Sequence, residues 1–155
     1  MPHRPRATYR LQLRGGVDFA RAAGIVPYLA RLGIGDLYLS PPFAARRGST
    51  HGYDVVDPNR LDPELGGEAG FLALCETLKA HGLGLLLDIV PNHMGIGPDN
   101  PWWWDVLKRG RESRYARFFD IDFARDPDGK LVLPVLGGPF EEVLGRGELK
   151  LDQDH

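Results

Sequence analysis

The sequence predicts an α/β fold with a parallel sheet, because segments of strand character and helix character alternate over residues 7–93. Three predicted strands are separated by two predicted helices, in the order β-α-β-α-β. A helical crossover returns the chain to the same sheet in the same direction, so neighbouring strands run parallel. The third strand, residues 83–87, is a nearly continuous apolar run, which is typical of a strand buried on both faces.

The first β-α-β unit has clear boundary signals. Polar and apolar residues alternate over residues 7–13, which predicts the first strand. Asp18 is placed to cap a helix that begins at Phe19, and Gly33 supplies its C-terminal stop. The second predicted strand, residues 36–40, follows at once.

The two predicted helices differ in regularity. Gly24 and Pro27 predict a break in the first, because an interior proline removes a backbone hydrogen bond and clashes with the preceding turn. The second, residues 68–81, has apolar residues at helical spacing and is closed by Gly82. Its predicted buried face consists of Phe71, Leu72, Leu74, Cys75 and Leu78.

The alternation of strands and helices stops after Met94. A short helix is predicted around residues 105–109. Further on, apolar runs at 118–123 and 131–136 flank an Asp-Pro-Asp-Gly turn at 126–129, which predicts a hairpin. Three adjacent tryptophans cannot all face one way on a regular element, so at least one of Trp102, Trp103 and Trp104 should lie in the core.

Length limits the architecture. Two β/α units occupy roughly the first half of the chain, whereas a complete eight-stranded α/β barrel needs about 250 residues. We therefore expect the N-terminal piece of a larger protein. In it, residues 1–95 would form the N-terminal part of a catalytic barrel, and residues 96–155 the start of an incomplete inserted subdomain.

Composition narrows the function classes. The chain has 155 residues, 43% of them hydrophobic, and a net charge of -2 without a basic stripe, so neither nucleic acid nor an anionic membrane is an expected partner. No apolar run is long enough to span a bilayer. Cys75, the one cysteine, cannot form an internal disulfide, which favours a cytoplasmic protein.

Polar side chains follow two of the predicted strands. Asp88, Asn92 and His93 come directly after the third strand. A glycine-rich loop, residues 48–58, comes after the second and contains His51, Tyr53, Asp54 and Asp57. Parallel α/β folds bind ligands at the carboxyl ends of their strands. Both groups are therefore predicted to line one binding site.

These two motifs resemble the signatures of the α-amylase superfamily of glycoside hydrolases and transglycosylases. Residues 88–93 resemble the motif at the end of that family's third barrel strand, and residues 51–57 the motif after its second. They stand about thirty-five residues apart, a distance typical of one β/α repeat. The resemblance implies that the chain is the N-terminal part of a (β/α)8 TIM barrel, its first three strands, with the start of an inserted domain after strand three.

The resemblance extends to a particular branch of the superfamily. Members of this branch convert the reducing-end α-1,4 linkage of a maltooligosaccharide into an α,α-1,1 linkage, and the same activity is the expectation here. A rival expectation is another hydrolase or transglycosylase of the superfamily, and a third is a non-catalytic half-barrel that binds sugar. The stretches that carry the similarity are residues 7–12, 27–33, 37–41, 48–55, 63–67, 100–105, 119–122 and 133–137.

The resemblance implies that three residues contact the sugar. His93 would form a hydrogen bond with a sugar hydroxyl, since a neutral imidazole both donates and accepts; the alternative is a partly buried structural histidine. Tyr53 would stack its ring on the sugar with its hydroxyl in water, the alternative being a core tyrosine. His51 would either contact the ligand or support the loop.

Four polar residues are expected to support the site without reacting. Asp88 would form hydrogen bonds with neighbouring polar groups, because a buried carboxylate without partners is costly. Asp54 and Asp57 would fix their loop through backbone amides. Asn92 binds calcium in many members of the superfamily, but no rich acidic loop accompanies it here, so neither a metal nor another cofactor is expected.

The family places its three catalytic carboxylates at the ends of strands four, five and seven. Retaining glycosyl transfer requires a nucleophile and a proton donor on opposite sides of the bond. This chain has neither in a recognisable place, so no catalytic residue is expected before residue 155. The chain alone should be inactive, and its partners should be a maltooligosaccharide substrate and the remainder of its own barrel.

Overall fold

The computed structural model describes residues 5–150. Within them lie five strands and four α-helices, joined by loops and by short 3₁₀ turns at Pro63–Leu65, Gly110–Glu112 and Ala116–Phe118. In chain order the strands and helices are β1 (Thr8–Leu11), α1 (Phe19–Leu32), β2 (Asp36–Leu39), β3 (Phe43–Ala45), β4 (Val55–Leu61), α2 (Gly67–Ala80), β5 (Gly84–Leu87), α3 (Pro101–Arg109) and α4 (Phe140–Gly145).

The main sheet is parallel, as the β-α-β-α-β order predicted. Its strand order is β1-β2-β5, and both pairs run in the same direction. The register places Leu11 beside Leu39, and Leu39 beside Leu87, so the three strands end at the same level. Residues that follow these strands therefore leave the sheet at the same end, the carboxyl end of the parallel strands.

Helix α1 runs without a break through Pro27, so the predicted interruption is wrong. Its ends are as expected: the Asp18 side chain accepts a hydrogen bond from the Arg21 N–H at 2.8 Å, and Gly33 is left-handed. A proline inside a helix costs about 3 kcal/mol. Phe19, Val26 and Leu29 are fully buried on one face. Burial of each contributes about 1.5–3 kcal/mol, which together outweighs the proline.

The core is formed by α1, α2 and the main sheet. The Phe19 and Phe71 rings meet edge to face, 5.4 Å apart. Leu74 and Leu78 of α2 are buried as predicted, but Leu72 is 56% exposed and does not belong to the buried face. The buried core residues are Leu13, Phe19, Ala22, Val26, Leu29, Leu37, Leu39, Leu65, Leu74, Leu78 and Leu83.

A second sheet, which the sequence patterns did not predict, follows β2. Strands β3 and β4 pair antiparallel with an irregular register. The loop between them, residues 46–54, is closed at its base by a 3.0 Å bond from the Arg46 N–H to the Asp54 carbonyl. This loop carries residues 51–54, which are most of the motif at residues 51–57.

Strand β5 is less buried than its apolar run predicted. Leu86 and Leu87 are each 38% exposed, so the expected burial on both faces is wrong for the end of this strand. Among residues 5–150, β5 pairs with β2 alone and forms an edge of the sheet. An edge strand has one side without a neighbouring strand to cover it.

The chain divides into two compact units, Met1–Asp105 and Val106–His155, with the boundary inside α3. The assignment of residues 96–155 to an inserted subdomain remains a prediction. The predicted hairpin is wrong: the described part of the second unit forms no strand, although the turn at its centre is present, with a 2.9 Å bond from the Gly129 N–H to the Asp126 carbonyl.

The apolar run after that turn, residues 131–136, is mostly exposed, with Val132 at 54% and Val135 at 64%. A two-stranded hairpin without a packed face is only marginally stable, which explains its absence. No helix within residues 5–150 has the length and apolar character needed to cross a membrane.

Candidate functional site

Three side chains meet at the carboxyl end of the parallel strands of the main sheet. The hydroxyl of Tyr53, in the β3–β4 loop, donates to Asp88 Oδ2 at 2.6 Å. Arg10 of β1 donates from Nη2 to the same hydroxyl at 3.0 Å, and this nitrogen lies 3.8 Å from Asp88 Oδ2. Asp88 follows β5 and continues the ladder, with its N–H 2.9 Å from the Leu39 carbonyl. The common end of the parallel strands thus brings two sequence motifs together.

The phenol of Tyr53 is held neutral. The Asp88 carboxylate, which accepts its hydrogen bond, raises the pKa of Tyr53 above the ordinary 10.0; burial adds to this, and Arg10 opposes it. The hydrogen bond to Tyr53 in turn raises the pKa of Arg10. The Tyr53 hydroxyl, which the sequence placed in water, also has two protein partners, Arg10 and Asp88. It is fixed between a cation and an anion, which fixes the ring as well.

His51 packs beside Tyr53. Their rings are 6.0 Å apart and inclined by 22°. His51 Nδ1 accepts a hydrogen bond from the Tyr53 backbone N–H at 3.0 Å, so a neutral ring carries its proton on Nε2. The 3.8 Å separation from Asp54 Oδ1 is too long for a hydrogen bond. Asp54 accepts instead from the hydroxyl of Ser49.

His93 and Asn92 form a pair of their own. His93 Nδ1 lies 3.0 Å from Asn92 Oδ1. Because the amide oxygen can only accept, Nδ1 carries the proton and Nε2 of the neutral ring is an acceptor. His93 is exposed, and no hydrogen bond or ion pair within residues 5–150 joins it to Tyr53 or Asp88. The two histidines thus present opposite tautomers.

Asp57 stands apart from these groups. It lies within β4, where Oδ1 accepts from the Asn59 N–H at 3.0 Å and Oδ2 is 4.0 Å from Arg60 Nε. These contacts are local to the strand. The structure therefore brings Tyr53, His51 and Asp88 together and leaves Asp57 outside the group.

The segment after β5 is anchored by Asn100, which is fully buried. Its Nδ2 donates to the Gly95 carbonyl at 2.7 Å, and its Oδ1 accepts from the N–H groups of Trp102 and Trp103. This cap explains why α3 begins at Pro101, earlier than the sequence predicted. Trp103 is 8% exposed, which confirms that at least one of the three tryptophans is a core residue.

Sequence reasoning missed three residues that hold this region: Arg10, Ser49 and Asn100. Arg10 had a signal, since it is a charged residue within a predicted strand, but nothing local connects it to Tyr53, 43 positions away. Ser49 lies in the glycine-rich loop, and Asn100 precedes a proline at a helix start, which is a recognisable cap pattern. The described residues contain no group of three or more His, Cys, Asp or Glu that could hold a metal ion.

Most of the chain matches a known protein family. The model described as "Alpha amylase, catalytic domain" matches residues 22–142. The chain belongs to the α-amylase family. The family expected from the two motifs is confirmed. The parallel β1-β2-β5 sheet with its helices is the N-terminal part of the family's (β/α)8 barrel, as predicted.

Within the α-amylase family, several relatives match most of this chain. A putative maltooligosyl trehalose synthase of Mycobacterium tuberculosis is 51% identical over 96% of the chain and 20% of its own length. The solved maltooligosyltrehalose synthase of Arthrobacter ramosus has a TM-score of 0.85 and 47% identity, covering 97% of this chain and 20% of that one. The intracellular maltogenic amylase of Bacillus subtilis is 39% identical over 68% of the chain and 17% of its length. The chain thus spans about a fifth of the relatives that it matches.

Proposed function

We propose that this chain is part of an intramolecular transglycosylase that converts the reducing-end α-1,4 linkage of a maltooligosaccharide into an α,α-1,1 linkage. The observation that carries the proposal is the similarity to maltooligosyl trehalose synthases over nearly the whole chain, at 51% identity with the Mycobacterium tuberculosis protein. The site at the sheet edge supports it, because its groups suit a polyhydroxylated ligand.

Tyr53, His51 and His93 are the proposed sugar contacts. Tyr53 offers a ring that its hydroxyl bonds hold in place, and an aromatic ring can cover the apolar face of a sugar. The neutral tautomers give the two histidines different tasks. His51 Nε2–H can donate to a sugar oxygen, and His93 Nε2 can accept from a sugar hydroxyl.

Asp88, Asn92, Asp54 and Asp57 are proposed to support these contacts. Asp88 orients the Tyr53 hydroxyl, and Asn92 sets the tautomer of His93. Asp54 binds Ser49, whose oxygen accepts from the Gly52 N–H at 3.0 Å. Asp57 fixes the backbone of β4. Neither a metal nor another cofactor takes part in the proposal.

The bond-breaking groups are proposed to lie outside this chain. Glycosyl transfer with retention needs a carboxylate nucleophile and a carboxylic acid about 5–5.5 Å apart. We assign both to later strands of the same barrel, so the isolated chain is inactive and requires the remainder of the barrel. We also propose a cytoplasmic location, in which the one cysteine of residues 1–155 would remain reduced.

The proposal is tested first by reading the coding DNA beyond the codon for His155 and expressing the complete reading frame. An α,α-1,1 linkage joins two anomeric carbons, so the product has no reducing end. Incubation with maltooligosaccharides should therefore remove reducing ends without releasing smaller sugars. A stop codon directly after His155, or no loss of reducing ends, rejects the proposal.

A matched pair of variants tests the site within that enzyme. His93→Ala should lower kcat/KM by about tenfold to a hundredfold, the range expected when one hydrogen bond to a bound sugar is lost. His81→Ala, at the exposed end of α2, is the control and should leave kcat/KM unchanged. Equal effects of the two substitutions on kcat/KM would show that His93 does not contact the sugar.

Hydrolysis is the second candidate function, favoured by the similarity to the Bacillus subtilis maltogenic amylase. The same assay separates the two reactions, since hydrolysis creates reducing ends. Sugar binding without either change would instead favour a non-catalytic sugar-binding module.

A further inference from the structure

Arg14 lies three residues after the end of β1, in a backbone conformation that few side chains adopt. Its φ is +79°, whereas an L-residue other than glycine strongly prefers negative φ. The residue opens a two-residue turn at Gly15 and Gly16, and it pairs with Val17 through bonds of 2.7 and 3.2 Å. Strained backbone of this kind persists where the surrounding structure holds it.

The Arg14 side chain is buried in an ion pair. Its Nη2 lies 2.7 Å from Asp62 Oδ2, with the two side chains only 4% and 5% exposed. The same nitrogen donates to the Phe43 carbonyl at 3.3 Å, and Asp62 Oδ2 also accepts from the Ala45 N–H at 3.2 Å. Arg14 thus ties the segment after β1 to Phe43 in β3 and to Asp62, directly after β4, the two strands that flank the loop 46–54.

The guanidinium also lies against the loop itself. A Cβ added to Gly52 would be 2.8 Å from Arg14 Nε and 3.0 Å from the Pro41 carbonyl. Gly52 stands between His51 and Tyr53, two of the proposed sugar contacts. The position of these two residues therefore depends on where the Arg14 side chain sits.

We propose that Arg14 is a positioning residue for the sugar site, through its buried pair with Asp62 and its contact with Gly52. The expected effect on sugar binding rests on the proposed function, because the loop that Arg14 holds carries Tyr53 and His51. Arg14 itself touches no substrate. Arg14 fixes the position of the loop relative to the carboxyl ends of the strands, so that the Tyr53 hydroxyl reaches Asp88.

The test uses the protein encoded by the complete reading frame. In a folded Arg14→Met protein, hydrogen exchange of peptides covering residues 46–54 should rise about tenfold while α2 peptides stay unchanged, because Arg14 contacts the loop and the residues that flank it. In the sugar assay, KM should rise about tenfold with kcat within about twofold, the pattern of lost uniform binding. Arg21→Met, an exposed arginine of α1, is the control.

Loss of Arg14 alone leaves the Asp62 charge buried, which can unfold a protein. The double variant Arg14→Met with Asp62→Asn removes both charges and keeps an amide oxygen for the Glu64 N–H that Asp62 now caps. It should fold and retain the loop defect. Unchanged loop exchange in this folded double variant overturns the proposal.

A second pair of variants tests the contact between Arg14 and Gly52 by changing glycines of the loop. Gly52 and Gly48 have similar φ values, +82° and +74°, but a Cβ on Gly48 meets nothing within 4 Å. Gly52→Ala should therefore raise loop exchange well above Gly48→Ala, and equal effects contradict the role of Arg14. Exchange is read without substrate. An inactive wild-type enzyme would thus refute the proposed function while the exchange results still decide the inference.

Discussion

The phenol of Tyr53 lies between the guanidinium of Arg10 and the carboxylate of Asp88, so its proton points in one direction. The Asp88 side chain is 18% exposed and that of Arg10 is 41% exposed. An ion pair this open to solvent contributes little stability. The hydrogen bonds to the phenol, which fix its ring, are the more important contacts.

The raised pKa of Tyr53 gives a pH-dependent prediction. Because the folded state favours the protonated phenol, its stabilising effect is complete below the unfolded value of 10.0 and is lost as pH rises through the higher folded pKa. Tyr53→Phe should lower the unfolding free energy by about 1 kcal/mol at neutral pH. The difference from wild type should shrink above pH 10.0.

Urea unfolding of the complete reading-frame protein at neutral and alkaline pH measures this difference. Tyr28→Phe is the control, since the Tyr28 ring is 56% exposed. A stability gap for Tyr53→Phe that stays constant with pH would show that Asp88 does not hold the phenol proton.

At the scale of elements, α1 shows how packing overrides a local signal. Pro27 lies inside the helix, and buried residues on either side of it keep the helix continuous. The backbone N–H that Pro27 lacks is a local loss of one helical hydrogen bond, whereas the apolar stripe is buried along the whole helix. The sequence pattern gave both ends of α1 correctly because Asp18 and Gly33 act on their immediate neighbours.

Gly24 within α1 and Gly33 directly after it should respond in opposite ways to alanine. Gly24 is exposed in the helix interior and has open space around it, so Gly24→Ala should stabilise by about 0.5–1 kcal/mol. Gly33 has a φ of +88°, so Gly33→Ala should destabilise by about 1–2 kcal/mol. Thermal unfolding, with hydrogen exchange of α1 peptides, measures both. Stabilisation by Gly33→Ala would contradict the cap assignment, and destabilisation by Gly24→Ala would contradict the open helical site.

At the scale of the whole molecule, the main sheet has strand edges and exposed apolar residues. Among residues 5–150, β1 and β5 are its outer strands. Near their ends, Tyr9 is 40% exposed, Leu86 38% and Ile89 59%. Unpaired edges of this kind promote aggregation.

The 155-residue chain expressed alone should therefore be poorly soluble or molten. It should bind a hydrophobic dye and lose its near-ultraviolet circular dichroism without a sharp transition. The complete reading-frame protein is the control, in which further strands would cover the edges. A sharp two-state melt of the short chain, with native near-ultraviolet signal, contradicts this expectation.

Much of the fold could be predicted from the sequence, because its signals are local. Apolar periodicity located α2, and the abrupt change from leucines to Asp88 located the end of β5. The β3–β4 sheet was missed, since β3 has only three residues, β4 contains Pro58, and their register is irregular. The hairpin in the second unit was predicted from its turn alone, and a turn without a packed face does not make a sheet.

The sequence by itself determined the family, the parallel direction of the strands, and the end of the sheet at which the segments that follow β2 and β5 leave it. Only the tertiary structure decided which side chains hold the site. Arg10 reaches Tyr53 over 43 positions, and Arg14 reaches Asp62 over 48. Such partners are chosen by strand register and loop path, which depend on the packing of the whole unit.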